Sequence, residues 1–584
     1  MPGEDAWQRR YSALEQRAKR FKSTYRRAFG AAMAEPGASA PRALFISGAP
    51  PRTETELCLM KALAVVGWVP IPVIMMQADT LKTYYSLIGS RQIHEWSDYL
   101  PDPSTLMDRA AAAVASCASL GALQTLEAGG VRVGGHAIAT ARRRECIGTV
   151  DFSSKAVREL LVSYLAGSMA AAQAAAAIVS ATSPDLVMAV DTVYTPKGEI
   201  FDTALAAGIP FIRWFPAHKN NTLMLKRYTS GNRDADLNSL ADSSWRLVKR
   251  MRWDESRRRE VDDELLKSYS SGEWYGETAT QFDRPIVDPD GVRAVLGIDS
   301  SKGLAVVFAH IAWDASFGRG RDLFSDYEEW LVETVRAACA NTHLQWLIKI
   351  HPAHTGKGEI DFYQAEPSEV RILRERIGVL PPHVKVIPAD AKLSTYALFP
   401  LIDWALTVRG TAGLEAARLG IPVLTGGTGR YDSRGFTIDS ETREEYLGKI
   451  ARLHEIPRLS PEQTELANRY AFALFRLRPL ALSTVSLEYD KRYGAEAFYN
   501  GVRIRNRTLR SWTVAPDLNA FADWATWSEE EDFLLPPAHP VGASTWHKRL
   551  RSNVLAAARG WLDLVASGRH RSSPSALGME RRQP

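Results

Sequence analysis

The chain has 584 residues, 45% of them apolar and 24% charged, which is the balance of a globular protein too long for one ordinary core. Its formal net charge of +5 is small for that length and argues against a dedicated nucleic-acid binder, while permitting local basic patches. Four cysteines (Cys58, Cys117, Cys146 and Cys339) make neither a C-x-x-C pair nor a zinc spacing, so reduced thiols in a cytoplasmic protein are expected.

In chain order, residues 5–34 read as one basic helix with an aromatic stripe: Trp7, Tyr11, Leu14, Phe21, Tyr25 and Phe29 lie among eight Arg and Lys. Such a helix can pack its aromatics on a domain or lie on an anionic membrane surface. No apolar h-region precedes it, so no secretory signal is expected. Residues 35–41 are a linker by composition. A strand over 42–47, the loop 48–52, a helix over 54–66 and a strand over 68–76 make a β–α–β opening. Ser47, Gly48 and Arg52 would face a cleft if the sheet is parallel. The loop lacks G-K-[ST] and is no P-loop.

Residues 80–182 read as mostly helical, and the Ala-rich stretch 165–181 as a packed helix rather than a membrane span. A strand over 186–190 ends in Asp191. The loop 192–198, a helix over 199–207 stopped by Gly208, and a strand over 209–215 follow. His218 and Lys219, after that strand, would meet an anionic substrate or remain solvated loop residues. Residues 230–295 are charged, with KRMRWDESRRREVDDELLK as a solvated helix, and a linker is placed within about 270–300.

The second half repeats the pattern. A buried strand over 304–309 leads to His310 through Asp314 and the loop 315–321. A helix over 327–340 leads to a strand over 344–350 that ends in His351-Pro352. Further strands are expected over 384–388, 402–408 and 421–424. Between the last two, Arg409, Gly410 and Thr411 turn the chain into a helix over 412–419, which Gly420 ends. Ligands of parallel α/β sheets collect at such strand-to-helix turns, and backbone N–H groups there suit a phosphate. Glu415, in the first turn of that helix, is within reach of a ribose diol; it would equally favour the helix start through the dipole. After about 440 the chain reads as mainly helical, with a last basic helix over 546–565 and a disordered tail over 567–584.

Glu415-Ala416, Gly420, Pro422 and Val423 follow the E-A-x-x-x-G-x-P-V pattern of GT-B glycosyltransferases. The tail from Gly426 through Tyr431 to Gly435-Phe436-Thr437 is similar to the G-x-P-x-Y…G-x-T segment of capsule polysaccharide biosynthesis proteins, the Kdo-transferase-like enzymes that use CMP-activated sugars. The order of the W-D loop and the H-P dipeptide, which border the donor cleft in that family, also resembles it. Many retaining GT-B enzymes carry a second Glu eight positions earlier; Thr407 stands there instead.

The resemblance implies an α/β GT-B fold: two Rossmann-like doubly wound domains around a cleft, with helical N- and C-terminal extensions. The boundaries expected are a basic helix over 1–40, an acceptor domain over 41–285, a donor domain over 286–455, helical segments crossing back over 456–566, and the tail 567–584. It implies a cytoplasmic enzyme, peripheral at the inner face of the membrane where basic helices meet anionic lipid. The enzyme would move a sugar such as a CMP-activated ulosonic acid to a saccharide or lipid-linked saccharide. No cofactor is expected beyond the nucleotide-sugar donor. With no D-x-D motif in a suitable loop, no metal is expected either.

Stabilising the leaving nucleotide's charge is then the largest task. His351 can donate a ring N–H to phosphate, and Pro352 stiffens its turn. Lys349 alternates with His351 along the strand, and His354 and Lys357 add charge nearby. Arg409, Gly410, Thr411, Ala412, Glu415 and Tyr431 complete the expected donor site. The base that takes the acceptor's proton is sought in Asp191, Glu199 or Asp314, each of which also suits capping or an ion pair. Two other readings remain open: a CDP-glycerol-type phosphotransferase of the same fold, and a non-catalytic scaffold of a polysaccharide assembly complex.

Overall fold

The computed structural model describes residues 4–30, 39–47, 52–76, 78–90, 92–270, 274, 288–314, 318–351, 366–489, 499–505, 512 and 515–535. Short apolar runs supply the strands. In chain order they are β1 (Arg42–Ser47), β2 (Val69–Ile74), β3 (His94–Glu95), β4 (Leu186–Ala189), β5 (Phe211–Pro216) and β6 (Thr222–Tyr228) in the first half. The second half has β7 (Leu304–Phe308), β8 (Gln345–Lys349), β9 (Val384–Ile387), β10 (Trp404–Thr407) and β11 (Val423–Thr425). Then come β12 (Leu480–Ala481), β13 (Val485–Tyr489) and β14 (Tyr499–Ile504).

These build two main sheets. One is seven-stranded in the order β12-β6-β5-β4-β1-β2-β3, the other five-stranded in the order β11-β10-β7-β8-β9. The second sheet is parallel throughout. The first is parallel from β3 to β5, and β6 and β12 extend it antiparallel. In both, the first strand of the set lies beside the second on one side and the fourth on the other. The order therefore reverses next to β1 and next to β7, and ligands of doubly wound sheets bind at such points.

Both faces of each sheet are covered, as continuous apolar strands require. Helix Lys155–Thr182 lays Ala171, Ala174, Ala175 and Ile178 against Leu44, Ile46, Val187 and Ala189. It is long and apolar enough to cross a membrane, yet 61% of its most apolar window is buried inside the protein. Helix Arg52–Val65 covers the opposite face. In the second half, Tyr327–Ala340 packs Trp330, Leu331 and Val335 on Ala305, Val307 and Leu406. Helices Thr411–Ala417 and Pro461–Phe472 cover the other side.

From Ala18 to Phe29 the basic N-terminal helix, Glu4–Phe29, turns its apolar side chains inward, while the side chains of Trp7 and Tyr11 lie outside those described. Ala18, Phe21, Ala28 and Phe29 are buried, Phe21 meets Tyr84 at 5.5 Å and Phe29 meets Trp512 at 5.4 Å. Arg17 pairs with the buried Glu54 at 2.7 Å. The packed alternative thus accounts for these side chains.

Two expectations are corrected, and one strand forms where no element was expected. The charged stretch after residue 241 is two helices, Asp242–Arg250 and Glu255–Ser270, not one. The first ends at the extended Met251, where Arg469 donates to the carbonyls of Val248, Lys249 and Met251. Residues 222–228 form β6, with all seven residues buried. The region after 440 is not mainly helical throughout: β12 joins the first sheet, and β13 and β14 form a hairpin that buries Val485, Leu487, Val502 and Ile504. The return to the first sheet is firm. Arg478 donates to the Leu225 carbonyl at 2.9 Å, and Lys226 pairs with Asp532 at 2.8 Å. Residues through Leu535 form one compact unit holding both sheets. The boundary expected near 285, Gly48, Pro352, His354, Lys357, the helix over 546–565 and the tail lie outside the described residues.

Candidate functional site

At the reversal point of the second sheet, β7 ends beside β10, and His310 follows β7 by two residues. Its Nε2 accepts N–H bonds from Val408 at 3.2 Å and, more weakly, Arg409 at 3.4 Å, and lies 3.0 Å from Thr407 Oγ1. The ring stacks on Tyr327 at 4.7 Å and meets the edge of Trp330 at 5.7 Å. Burial first, then the charges of His351, Arg409 and Arg430, hold its proton affinity well below the ordinary value. A neutral imidazole accepting at Nε2 carries its proton on Nδ1.

His310 thereby fixes the start of the turn that follows β10. Thr407 Oγ1 accepts the Gly410 N–H at 3.1 Å, and the Tyr431 hydroxyl donates to the Gly410 carbonyl at 2.6 Å. Arg430 donates to the Arg409 carbonyl and to Thr411 Oγ1, both at 3.0 Å. Gly413 has to be glycine, since a Cβ there would stand 2.3 Å from the Tyr431 hydroxyl. Gly410, Thr411 and Ala412 stay half-buried, with the half-buried Arg430 over them.

The other expected donor residues fall into two groups. His351 is half-buried just beyond β8, close enough for its charge to act on His310. Arg409, Lys349, Glu415 and Tyr431 are buried. The Arg409 guanidinium is ion-paired with Asp322 and lies 3.4 Å from the Tyr327 hydroxyl, so its contribution to the turn is its backbone. Burial pushes the Asp322 carboxyl up to about 6 even against that pairing. Glu415 accepts the Tyr269 hydroxyl at 2.8 Å, and burial raises its carboxyl to about 7. Tyr431 serves the turn from behind.

The carboxyl edge of the first sheet meets this site. Asp191 accepts the N–H groups of Thr192 and Val193 at 2.6 and 3.0 Å. Burial would raise its carboxyl, but Arg213, Lys197 and Arg319 outweigh that and keep it ionised. The Tyr194 hydroxyl donates to Asp314 Oδ1 at 2.6 Å, and Arg319 lies 3.6 Å from Asp314. Arg142 reaches across to the Ala312 carbonyl at 3.0 Å. Asp236 collects the positive field of Arg319, Arg430 and Arg213, which overcomes its burial and depresses its carboxyl. The loops after β4 and β7 therefore touch, and Arg319 and Arg430 from two loops converge with Arg213 of β5 between the sheets. Arg52 borders the same region, over the Phe215 ring at 4.8 Å and within reach of Lys197.

Four expected residues lie elsewhere. Ser47 is fully buried and donates to Glu56 at 2.9 Å, so it presents nothing to an acceptor. Glu199 is fully buried; Ser168 and Thr195 donate to it at 2.5 and 2.7 Å, beside the His136–Asp202 pair at 2.9 Å. It anchors Thr195 rather than opening to solvent. His218 is buried against Trp274, with ring centroids 4.5 Å apart, and lies 3.4 Å from Glu264. Lys219 donates to the same Glu264 at 3.2 Å. Glu264 is held at about 2, its burial outweighed by His218 and Lys219.

Sequence reasoning did not single out His310, Tyr194, Arg213, Asp236, Arg319 or Arg430 as site residues. Two signals were present. His310 follows a strand just as His351 does, and Arg213 interrupts the apolar strand FIRWFP. Arg319 and Arg430 sit in glycine-containing loops with no local pattern that marks them.

No family model and no curated protein matches the chain. Among solved structures it is similar to Thermosulfurimonas dismutans KpsC, a beta Kdo 2,4 transferase, at 13% identity over 56% of this chain and 87% of that chain, with a TM-score of 0.32. It is similar to the UDP-GlcNAc 2-epimerase of Neisseria meningitidis at 13% identity over 74% of this chain and 95% of that one, TM-score 0.23. Anabaena Alr3699/HepE in complex with UDP and glucose overlaps at 11% identity over 74% and 94%, TM-score 0.24. Likeness at these scores carries no argument about activity.

Proposed function

We propose that the protein is a GT-B-type glycosyltransferase that moves a sugar from a nucleotide donor to a saccharide acceptor. The single observation that carries this is the meeting of two doubly wound sheets at their carboxyl edges, with arginines converging between them. The hydrogen bond from Tyr194 to Asp314 and the shared field of Arg213, Arg319 and Arg430 at Asp236 define that meeting. An anion held there would take up positive charge that the carboxylates leave uncompensated.

In this reading the nucleotide's phosphate lies over Gly410, Thr411 and Ala412. Arg430 and His351 donate to it, and His310 keeps the turn in place. The acceptor hydroxyl attacks the anomeric carbon, the bond from that carbon to the phosphate oxygen breaks, and the nucleotide leaves as an anion. The proton passes to a carboxylate, for which Asp191 is chosen: it is ionised and half-buried at the cleft. Phosphate binding would draw Arg319 and Arg213 away from Asp191 and raise its basicity. A CMP-activated ulosonic acid is the donor proposed from the family resemblance.

Titrating CMP, CDP, UDP and GDP against thermal stability tests this. One nucleotide at about a hundredfold its Kd should stabilise the fold by about 2.7 kcal/mol. No shift with any of them sinks the reading.

A further inference from the structure

Beside the turn, and reached through Arg430, a pocket of about 780 Å³ opens between the two halves of the chain. Helix Asp242–Arg250 forms one wall with Asp242, Trp245, Arg246 and Lys249. Their spacing puts all four on one face of the helix. The loop after β11 forms the other wall with Arg430, Asp432 and Arg434. Lys226 and Glu531 also line it.

The pocket's charges are unequally matched. Lys226 is neutralised by Asp532 at 2.8 Å. Asp432 turns back to its own loop, taking the N–H groups of Gly429 and Arg430. Asp242 pairs with Arg434 at 2.6 Å, and its carboxyl is also depressed by Arg246 and Lys249. With Lys226 and Asp432 set aside, two carboxylates, the exposed Asp242 and the half-buried Glu531, face four cations on the walls, Arg246, Lys249, Arg430 and Arg434. Arg246 and Lys249 are exposed. The Trp245 ring lies behind them, with the Lys249 ammonium 5.7 Å from its centroid.

We propose that this pocket binds an anionic saccharide, one whose sugar rings carry carboxylates. Its volume falls within the usual range for small-molecule sites, about 300–1,000 Å³. Its polar walls suit hydroxyls, and its surplus of Arg and Lys suits carboxylates. Arg430 belongs both to this pocket and to the turn that receives the phosphate in the proposed reaction. A saccharide seated here lies next to the donor and is its acceptor. The acceptor role rests on the glycosyl-transfer reading; the preference for an anionic sugar rests on the pocket alone.

Calorimetry with trigalacturonate and with neutral maltotriose, at equal ionic strength, tests the pocket. Trigalacturonate should bind saturably, maltotriose at least about tenfold more weakly. The Arg246→Ala/Lys249→Ala variant should lose about tenfold or more in trigalacturonate affinity while keeping its melting temperature and its nucleotide affinity. Both side chains are exposed, and Arg246→Gln/Lys249→Gln supplies a second variant should the first unfold. No saturable trigalacturonate binding, equal binding of maltotriose, or an undiminished double variant overturns the proposal. Should the sugars behave as expected while no nucleotide binds, the pocket stands and the glycosyl-transfer reading falls.

Discussion

The Tyr194 hydroxyl donates to Asp314 Oδ1 at 2.6 Å, joining the loop after β4 of one sheet to the loop after β7 of the other. Burial and the Asp314 charge both raise the phenol's affinity for its proton, so the donor is never lost near neutral pH. Tyr194→Phe removes this bond and leaves Asp314 to Arg319. A loss of about 1–2 kcal/mol in urea-unfolding stability is expected. An unchanged midpoint would mean that the loops are held together by other contacts.

Glu415 gives the fold a pH dependence of its own. Its carboxyl is raised by burial to about 7, above the ordinary 4.5, so the folded protein holds a proton that the unfolded chain releases. The sign follows from linkage: its stabilising contribution is complete below pH about 4.5 and is lost as pH rises through about 7. Glu415→Gln should therefore gain on the native protein by roughly 2–3 kcal/mol between pH 5 and pH 8. Parallel denaturation curves at the two pH values would show instead that Glu415 is ionised at both.

His310 acts in the opposite sense. Its folded proton affinity is depressed by burial, so its contribution is complete above pH about 6.5 and falls as the medium becomes more acidic. His310→Gln keeps an acceptor for the Val408 N–H and removes the titration. The variant should lose less stability than the native protein between pH 6.5 and pH 5. His310→Ala, which leaves that N–H without its acceptor, should cost about 2–4 kcal/mol at pH 7.5. Equal acid sensitivity of native protein and His310→Gln would contradict a neutral, accepting imidazole.

Arg430 and Asp191 separate binding from chemistry. Arg430→Ala should weaken nucleotide binding by about ten- to a hundredfold through loss of charge-assisted hydrogen bonds. Asp191→Asn should leave nucleotide affinity within about twofold and lower kcat by about a hundredfold or more. The reverse pattern would assign Asp191 to the phosphate pocket and Arg430 to the scaffold.

The turn after β10 was legible in the sequence because strand, Gly410, short helix, Gly420 and Pro422 obey local rules. Gly420 ends the helix at φ +78, as a glycine in that place should. Other site residues were not legible because their roles depend on tertiary neighbours. Glu415 meets Tyr269, 146 positions away, and Arg409 is taken by Asp322. His218 follows a strand end and Glu199 lies in the first turn of a helix, yet both are enclosed by side chains no local pattern links to them. The hairpin β13–β14 carried its signal openly, in the alternation of Val485 with Leu487 and Val502 with Ile504. The aromatic and Arg content of the surrounding region suggested helix and obscured it.

The most direct test of the account is a crystal structure of the protein soaked with the nucleotide that stabilises it best. The account predicts the phosphate over Gly410, Thr411 and Ala412, within hydrogen-bond distance of Arg430 and His351, with the ribose on the side of the second sheet. A nucleotide lying away from the carboxyl ends of β8 and β10, or contacting neither Arg430 nor His351, would contradict it.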